Sequence, residues 1–486
     1  MSILEKYFQL PENRTTVRTE LIAGLTTFLA MAYIIVVQPM VLSGRMFGFE
    51  TGMDFGAVMT ATCISAAIAT IIMSLYARYP IAQAPGMGEN FFFVFSVLPG
   101  AAAAGFANSW QVGLGVVFIS GVLFLVLSLV GVREIILNAV SPSMKNAMAV
   151  GIGLFIAFIG LQNAGLIVTS ASIVTTPQGP ILRPGTLVKL NPNFASIDLV
   201  IFFFGLLITA ILHVRKIRGS ILLGILSATA LSIVVKLIIA GTPGHFVESP
   251  LISGSKLATH FTLATGIFSM PPPITPTLFK MDLVGAVSWL MIPFIIIFLF
   301  MDVFDTIGTL IGVSEQAGFI KDNKLPHANR ALLSDAVGTV TGACLGTSTV
   351  TSFIESAAGV EQGGRTGLTS LTAAILFLIA LFLSPIIVMI GSYAAITAPA
   401  LVIVGAMMIR NVNKIEWSDD SESIPSFLMV IGIPLTYSIA DGLTLGFVSY
   451  PFIKLLSGKG RQVSLFMYGL SVVLIAYFIF VRAKIG

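Results

Sequence analysis

An all-α polytopic membrane protein of about fourteen spans, arranged as two related halves around two interrupted segments, is the fold this sequence predicts. Three observations carry that expectation. The chain is 56% apolar and 10% charged, with a mean hydropathy of +0.98, whereas soluble domains average about 45–50% apolar and about 25% charged residues. Its apolar residues gather into windows that reach the roughly 20 residues a bilayer crossing needs, charge-free from Phe55 to Ala77, Phe91 to Val132, Asn146 to Leu182, Leu283 to Met301, Thr366 to Ile409 and Gln462 to Val481. Two further windows are broken by proline, glycine, serine and threonine where a span should be continuous, and they occupy matching places in the two halves.

Taken in order, the spans fall near 21–42, 55–77, 81–98, 111–131, 147–163, 196–213, 219–240, 283–311, 332–346, 350–361, 367–388, 391–409, 424–440 and 463–482. The apolar stretch 443–456 fits either a further span or a surface helix, which leaves the side of the C-terminus open. The stretch ahead of the first span has no short apolar core with a small-residue cleavage site, so it does not read as a removable signal. Positive charge recurs at Lys6, Arg14 and Arg18, then at Arg78, Arg133, Lys145, His213 to Arg218 and Lys321 to Arg330, in alternate loops. The intervening loops 99–110, 164–195 and 241–282 are poor in Lys and Arg, so the positive-inside rule places the N-terminus in the cytoplasm and the chain in the cytoplasmic membrane.

Several function classes drop out. The net charge of +4 is accounted for by topology and implies no nucleic-acid partner. Cys63 and Cys344 lie within separate spans and read as small buried groups. His213, His245, His260 and His327 have no metal-ligand spacing, and neither a Ser/His/Asp arrangement nor a phosphate loop occurs, so no metal, cofactor or enzymatic activity is expected. Gly363 to Gly367 lacks the order of a phosphate loop and reads as a turn into the next span.

The division into halves places a first repeat at 1–245, a linker outside the membrane at 246–282 and a second repeat at 283–486. The run Ser141 to Gly153, ending at Gln162 and Asn163, matches Ile396 to Met408, ending at Arg410 and Asn411; both carry an early proline and turn glycine-rich. The two broken segments are Gln83 to Asn90 and Gly346 to Glu355. Irregular backbone at membrane depth is tolerated where it is buried in protein or lines a cavity, so the pair marks the candidate binding site, with half-helix N-termini and their free N–H groups at the midplane.

An ionisable group within a span costs about 2.5–3.5 kcal/mol on insertion scales and marks function by default. Glu89, Asp302, Asp305, Asp335, Glu355, Asp441 and Lys236 pass that filter. Asp302 and Asp305 are three residues apart and share a helical face, where two carboxylates in low dielectric favour the protonated form; Asp302 is the expected carrier of a coupling proton, and Asp305 either shares that role or braces the neighbouring broken helix. Glu355 follows the Thr/Ser-rich stretch 347–352 and offers either a helix-start acid or an acceptor for the N–H groups of a heterocyclic base, with Thr349 as a hydroxyl beside it. Asn90, at the opposing break, can both donate and accept. Glu89 precedes it and faces either the cavity, as a substrate contact, or a neighbouring domain, as a first-turn acid. The run Phe91 to Phe95 reads as packing or as a stacking platform. Asp335 and Asp441 have no partner legible in the sequence, and Lys236 reads as snorkelling from a span end.

The motifs Ala84-Pro-Gly-Met-Gly-x-Asn90, Asp302-x-Phe-Asp-Thr-x-Gly-Thr-Leu310 and Gly346-Thr-Ser-Thr-Val-Thr-Ser-x-Ile-Glu-Ser-Ala-Ala-Gly359, in that order, resemble the AzgA-like purine permease branch of the nucleobase/cation symporter (xanthine/uracil permease) family. Arg18 to Tyr33 and Ser423 to Tyr450 extend the resemblance along essentially the whole chain. It implies a seven-plus-seven inverted repeat, a core domain of segments 1–4 and 8–11, and a gate domain of segments 5–7 and 12–14. It implies an elevator-type, proton-coupled symporter for hypoxanthine, guanine or adenine, with H⁺ as coupling ion, sites at Asn90, Asp302, Asp305 and Glu355, and a homodimer as a compatible assembly. The sequence departs from that pattern at Glu89 and Phe91, where relatives carry Gly-x-Asn-Ala. The rival readings are an anion carrier of the same architecture, which predicts a net positive site, and an ion channel, which asks for a filter or a charged ring.

Overall fold

The apolar windows become helices because, with no water to satisfy the backbone, each span must close its own hydrogen bonds, and polar caps start them. A computed structural model describes residues 3–130, 140–168, 172–176, 179–183, 188–192, 194, 196–241, 255–319 and 328–479. Among these, ten helices are long and apolar enough to cross a membrane, with shorter apolar helices at Met87–Ala103 and Leu465–Ala476. Arg133, His245, His327 and part of the 246–282 linker lie outside the described residues.

The first span is two helices, α1 (Val17–Met31) and α2 (Ile34–Leu42), separated at Ala32 and Tyr33. Helix α3 (Phe55–Ile72) starts on Asp54, whose side chain accepts from Ala57 N–H. Strand β1 (Gln83–Pro85) then enters α4 (Met87–Phe92), which continues through a wider turn to Ala103. Next come α5 (Ser109–Val130), α6 (Pro142–Asn163), α7 (Ile197–Val214) and α8 (Ser220–Gly241). Helix α6 pairs a Ser141 cap with Pro142 in its first turn, the residues that favour a helix start.

The second half carries α9 (Ile292–Gln316), α10 (Ala328–Leu345), β2 (Val350–Ser352), α11 (Ser356–Glu361), α12 (Gly367–Ala380), α13 (Ala394–Met408), α14 (Asp420–Thr436), α15 (Ile439–Leu456) and α16 (Leu465–Tyr477). The expected span 283–311 is interrupted, with a short helix at Leu283–Ala286 ahead of α9. The ambiguous stretch 443–456 belongs to α15, an 18-residue helix. The chain also carries strands that a purely helical reading omits: β1 with β2, Ile167–Val168 with Lys189–Leu190, and Ser172–Thr176 with Gly179–Arg183.

Helices α1, α3, α5, α10 and α12 pack with one another, and α6, α7, α13, α14 and α15 pack among themselves. Close backbone approach holds α1 to α12: a Cβ at Gly24 would lie 2.4 Å from the Thr369 carbonyl oxygen. Buried Glu20 on α1 caps α12 from the side, accepting from Arg365 N–H at 2.9 Å, Thr369 N–H at 3.2 Å and the Thr369 hydroxyl at 2.6 Å. In the second group, buried Lys454 on α15 bonds Glu422 at 2.9 Å, and Glu422 also accepts from Ser141 at 2.7 Å, so α6, α14 and α15 meet at one ionic cluster. Beside it, Ser421 and Lys459 hold the half-buried Asp419 carboxyl well below the usual carboxylate range.

Candidate polar site at the paired strands

Pro85 and the glycines after it cannot sustain a helix, and the β-branched run 347–352 favours extended backbone. The two breaks therefore solve each other's hydrogen-bonding problem by pairing. Gln83 faces Ser352, Ala84 faces Thr351 and Pro85 faces Val350 in an antiparallel register. Phe353 N–H donates to the Ala82 carbonyl at 3.0 Å and Gly86 N–H to the Thr349 carbonyl at 3.1 Å, closing both ends of the pair. Gly346 turns the chain into β2 at φ +101°, a left-handed conformation, with Thr277 where a side chain would go.

The acids gather around this pair. Asp302 is 1% exposed; its Oδ2 accepts from Thr339 at 2.8 Å, and its Oδ1 has no partner. Thr339 also donates to the Val350 carbonyl and accepts from Val350 N–H, each at 3.2 Å, so Asp302 is tied to β2 through one hydroxyl. Asp305, one turn on, reaches the same strand through Thr351 at 3.4 Å. The shared face expected from their spacing is therefore directed at β2. They differ in access: Asp302 is buried and Asp305 exposed. Nothing lies within 4 Å of a Cβ built at Gly308, so α9 borders open space there, whereas one turn on a Cβ at Gly312 would meet Ile354 at 3.3 Å.

Glu355 immediately precedes α11 as its N-cap residue, makes no capping bond, and is half-buried. Its Oε1 accepts from the Tyr33 hydroxyl at 2.7 Å, across from the break in the first span. Asn90 is fully buried and lies within the helix, with Gly86 at the cap position. Its amide donates to Gln38 and its oxygen accepts from Ser348, while Gln38 also donates to Thr347 at 2.8 Å. The expected pairing of donor and acceptor functions holds for this side chain, and both are met within the protein. Thr349 is buried, with its carbonyl on Gly86 and its hydroxyl unpartnered. Glu89 is 3% exposed; its carboxylate folds back over Gly86.

Asp335 is the acid whose partners the sequence did not disclose. It is fully buried and accepts from Gln83 at 2.7 Å, Thr306 at 2.5 Å and Ser352 at 3.1 Å, so it clasps the first residue of β1 and the last of β2 to α9 and α10. Gln38, Tyr33, Gln83, Thr306 and Thr339 were likewise not singled out. A polar residue inside an apolar span was the signal available for Gln38 and Gln83. Lys236 donates to the Phe261 carbonyl within the protein in place of snorkelling. Asp441 sits in the first turn of α15, where its N–H donates to Ser438.

None of Glu89, Asp302, Asp305, Asp335 and Glu355 has an ion-pair partner among the described residues; the ion pairs there join Lys454 and Lys459 to Asp419 and Glu422. No metal-ligating cluster occurs among them either. The site thus offers acceptors and hydroxyls and suits a neutral ligand bearing N–H groups, or protons. Phe91, Phe92 and Phe93 are fully buried; Phe92 packs edge-on to Phe298 at 4.8 Å, so these rings serve as packing. Toward the other end of the third segment, Phe95 lies 5.5 Å from Phe155 on α6 and 5.2 Å from Tyr437 at the end of α14, an aromatic cluster joining the two helix groups.

The Permease family model matches residues 18–445. The guanine/hypoxanthine permease PbuG of Bacillus subtilis is 42% identical over 99% of this chain and 100% of its own length. The adenine permease AdeQ of Escherichia coli is 36% identical over 95% of this chain and 93% of its own. Among solved structures, the transmembrane domain of the cyanobacterial bicarbonate transporter BicA aligns with a TM-score of 0.56 at 16% identity, over 88% of this chain and 97% of that one, a likeness of fold alone.

Proposed function

From the premise that this chain belongs to the Permease family, in its AzgA-like purine permease branch, we propose that it is a proton-coupled symporter that imports a purine base across the cytoplasmic membrane. The observation that carries the reading is the set of carboxylates at the paired breaks with no cation bonded to them. An anion would meet repulsion from these acids, whereas a purine presents ring N–H groups that a carboxylate accepts.

In this reading the base lies between the heads of α4 and α11. Glu355 accepts its N–H groups, held in place by Tyr33. Asn90 acts through the Gln38–Ser348 network that orders the α4 head, and the Thr349 hydroxyl, unpartnered in the ligand-free protein, turns to the base. Asp302 carries the coupling proton on its unpartnered oxygen, and Asp305 passes it to water. Residues 1–245 and 283–486 form inverted repeats that divide into a core, carrying the site, and a gate formed by α6 to α8, α13, α14 and α16. An elevator motion of core against gate is supported by the asymmetry of the site: Asp305 is exposed on one side, while Phe95, Phe155 and Tyr437 close core against gate on the other. With the N-terminus in the cytoplasm, the open side is cytoplasmic.

Uptake of radiolabelled hypoxanthine in cells lacking their own purine permeases tests this. Saturable uptake competed by guanine or adenine and collapsed by a protonophore is the expected result. Uptake no greater than in cells without the protein, or uptake insensitive to the protonophore, rejects it.

A further inference from the structure

The site holds one acid more than a single coupled proton requires. Glu89 is in the first turn of α4, 3% exposed. Its position is fixed by geometry: a Cβ at Gly86 would fall 2.3 Å from its Oε2 and 2.8 Å from the Thr351 methyl. The carboxylate is therefore lodged over Gly86 inside the core, and only the glycine at position 86 leaves it room.

Thr351 is the link that matters. Its methyl side touches the space beside Glu89, and its hydroxyl bonds Thr306 at 2.9 Å and Asp305 at 3.4 Å. Thr351 therefore borders the space over Gly86 on its methyl side and reaches exposed Asp305 on its hydroxyl side. The same stretch of α4 packs on α9 next to Asp302, since a Cβ at Gly88 would lie 3.7 Å from the Met301 methyl.

Among the described residues no cation is bonded to Glu89. Of the groups around it, helix α9 contributes Asp302 and Asp305, α10 contributes Asp335, and the head of α11 contributes Glu355 with Tyr33 across from it. From the gate side, α6 contributes Lys145, whose ammonium sits 4.9 Å over the Phe304 ring, and α15 contributes Asp441. Glu89 is buried with no cation bonded to it among the described residues, a setting in which a carboxylate is costly as an anion and suited to carrying a proton.

We propose that Glu89 is a second proton carrier, so that each purine enters with two protons, one on Asp302 and one on Glu89. This rests on the reading of the protein as a proton-coupled purine symporter. The proton bookkeeping is closed: both acids load from the outer medium, cross with the base, and are deprotonated at the cytoplasmic side through Asp305.

The test uses purified full-length protein in liposomes, with the membrane potential clamped at zero by potassium and valinomycin. Steady-state accumulation of labelled hypoxanthine is measured against imposed pH gradients. Two protons give about 100-fold accumulation per pH unit and one gives about tenfold. The parent is expected to follow the steeper line, Glu89→Gln and Glu89→Leu the shallower one, and Glu89→Asp the steeper one again. Gly86→Ala, which crowds the carboxylate without altering it, is expected to move toward the shallower line. Counterflow of hypoxanthine at zero gradient, which needs no net proton movement, identifies variants that have failed to fold. A tenfold dependence in the parent, or a 100-fold dependence kept by a counterflow-competent Glu89→Gln, overturns the proposal while leaving purine symport standing. No dependence on the pH gradient in the parent, with counterflow intact, removes proton coupling itself.

Discussion

Replacing Asp335 with alanine removes the acceptor shared by three buried donors: Gln83, Thr306 and Ser352. Thr306 keeps a partner, because its hydroxyl also meets Thr351 at 2.9 Å. Gln83 and Ser352 do not recover so easily, since both lie in the sealed strand pair and approach each other only at 3.3 Å. Leaving a buried donor unsatisfied costs about 1–3 kcal/mol, so two donors give about 2–6 kcal/mol, with the lower end reached if a water enters the space vacated. At about 1 °C for each kcal/mol in a chain of this length, the melting temperature of the detergent-solubilised protein should fall by about 2–6 °C. The loss is centred on β1 and β2, so purine binding should weaken in the same variant even below its melting temperature. Asp335→Asn, which keeps one acceptor oxygen, should fall between parent and alanine. The measurement is fluorescence-detected thermal unfolding with calorimetric binding on the same preparation. An alanine variant that melts within about 1 °C of the parent and binds hypoxanthine normally would refute the assignment of Asp335 as the clasp of the strand pair.

Other substitutions separate the roles at the site. Asp302→Asn should reach the membrane and still exchange hypoxanthine by counterflow, yet lose pH-gradient-driven uptake; accumulation near the parent's level contradicts its role as proton carrier. Glu355→Gln should lose purine binding by tenfold or more, a step of about 1.4 kcal/mol, whereas Glu355→Asp should retain a weakened affinity; unchanged binding by the glutamine variant in calorimetry removes Glu355 from the base contact. Gly346→Ala combines a left-handed φ of +101° with a Cβ placed 2.1 Å from that of Thr277, so the protein should be recovered from membranes at a small fraction of parental yield.

The membrane fold was legible because apolar windows need only be counted, and the two breaks were legible because proline and glycine interrupt those windows. The same breaks located Glu89, Asn90 and Glu355, and the three-residue spacing of Asp302 and Asp305 set them on one face. What escaped the sequence was pairing over long separations. Gln83 and Ser352 are 269 residues apart, and only the antiparallel register of the two breaks brings them to Asp335. Tyr33 likewise reaches Glu355 across 322 residues, and its position in the chain reads as one more apolar span residue. Glu89 shows the limit most clearly: its place in the first helical turn allows either orientation, and the direction of its side chain is decided by the empty space over Gly86.

Counterflow in liposomes bears most directly on the claim that this site carries a purine, because it asks for recognition and translocation without assuming a coupling ion. Vesicles holding the purified protein and loaded with unlabelled hypoxanthine are diluted into a trace of labelled hypoxanthine. The account predicts a transient overshoot of label, reproduced by guanine or adenine loading and absent from vesicles loaded with sulfate or bicarbonate. Absence of any purine-driven overshoot, together with counterflow of labelled sulfate or bicarbonate through the same vesicles, would contradict it.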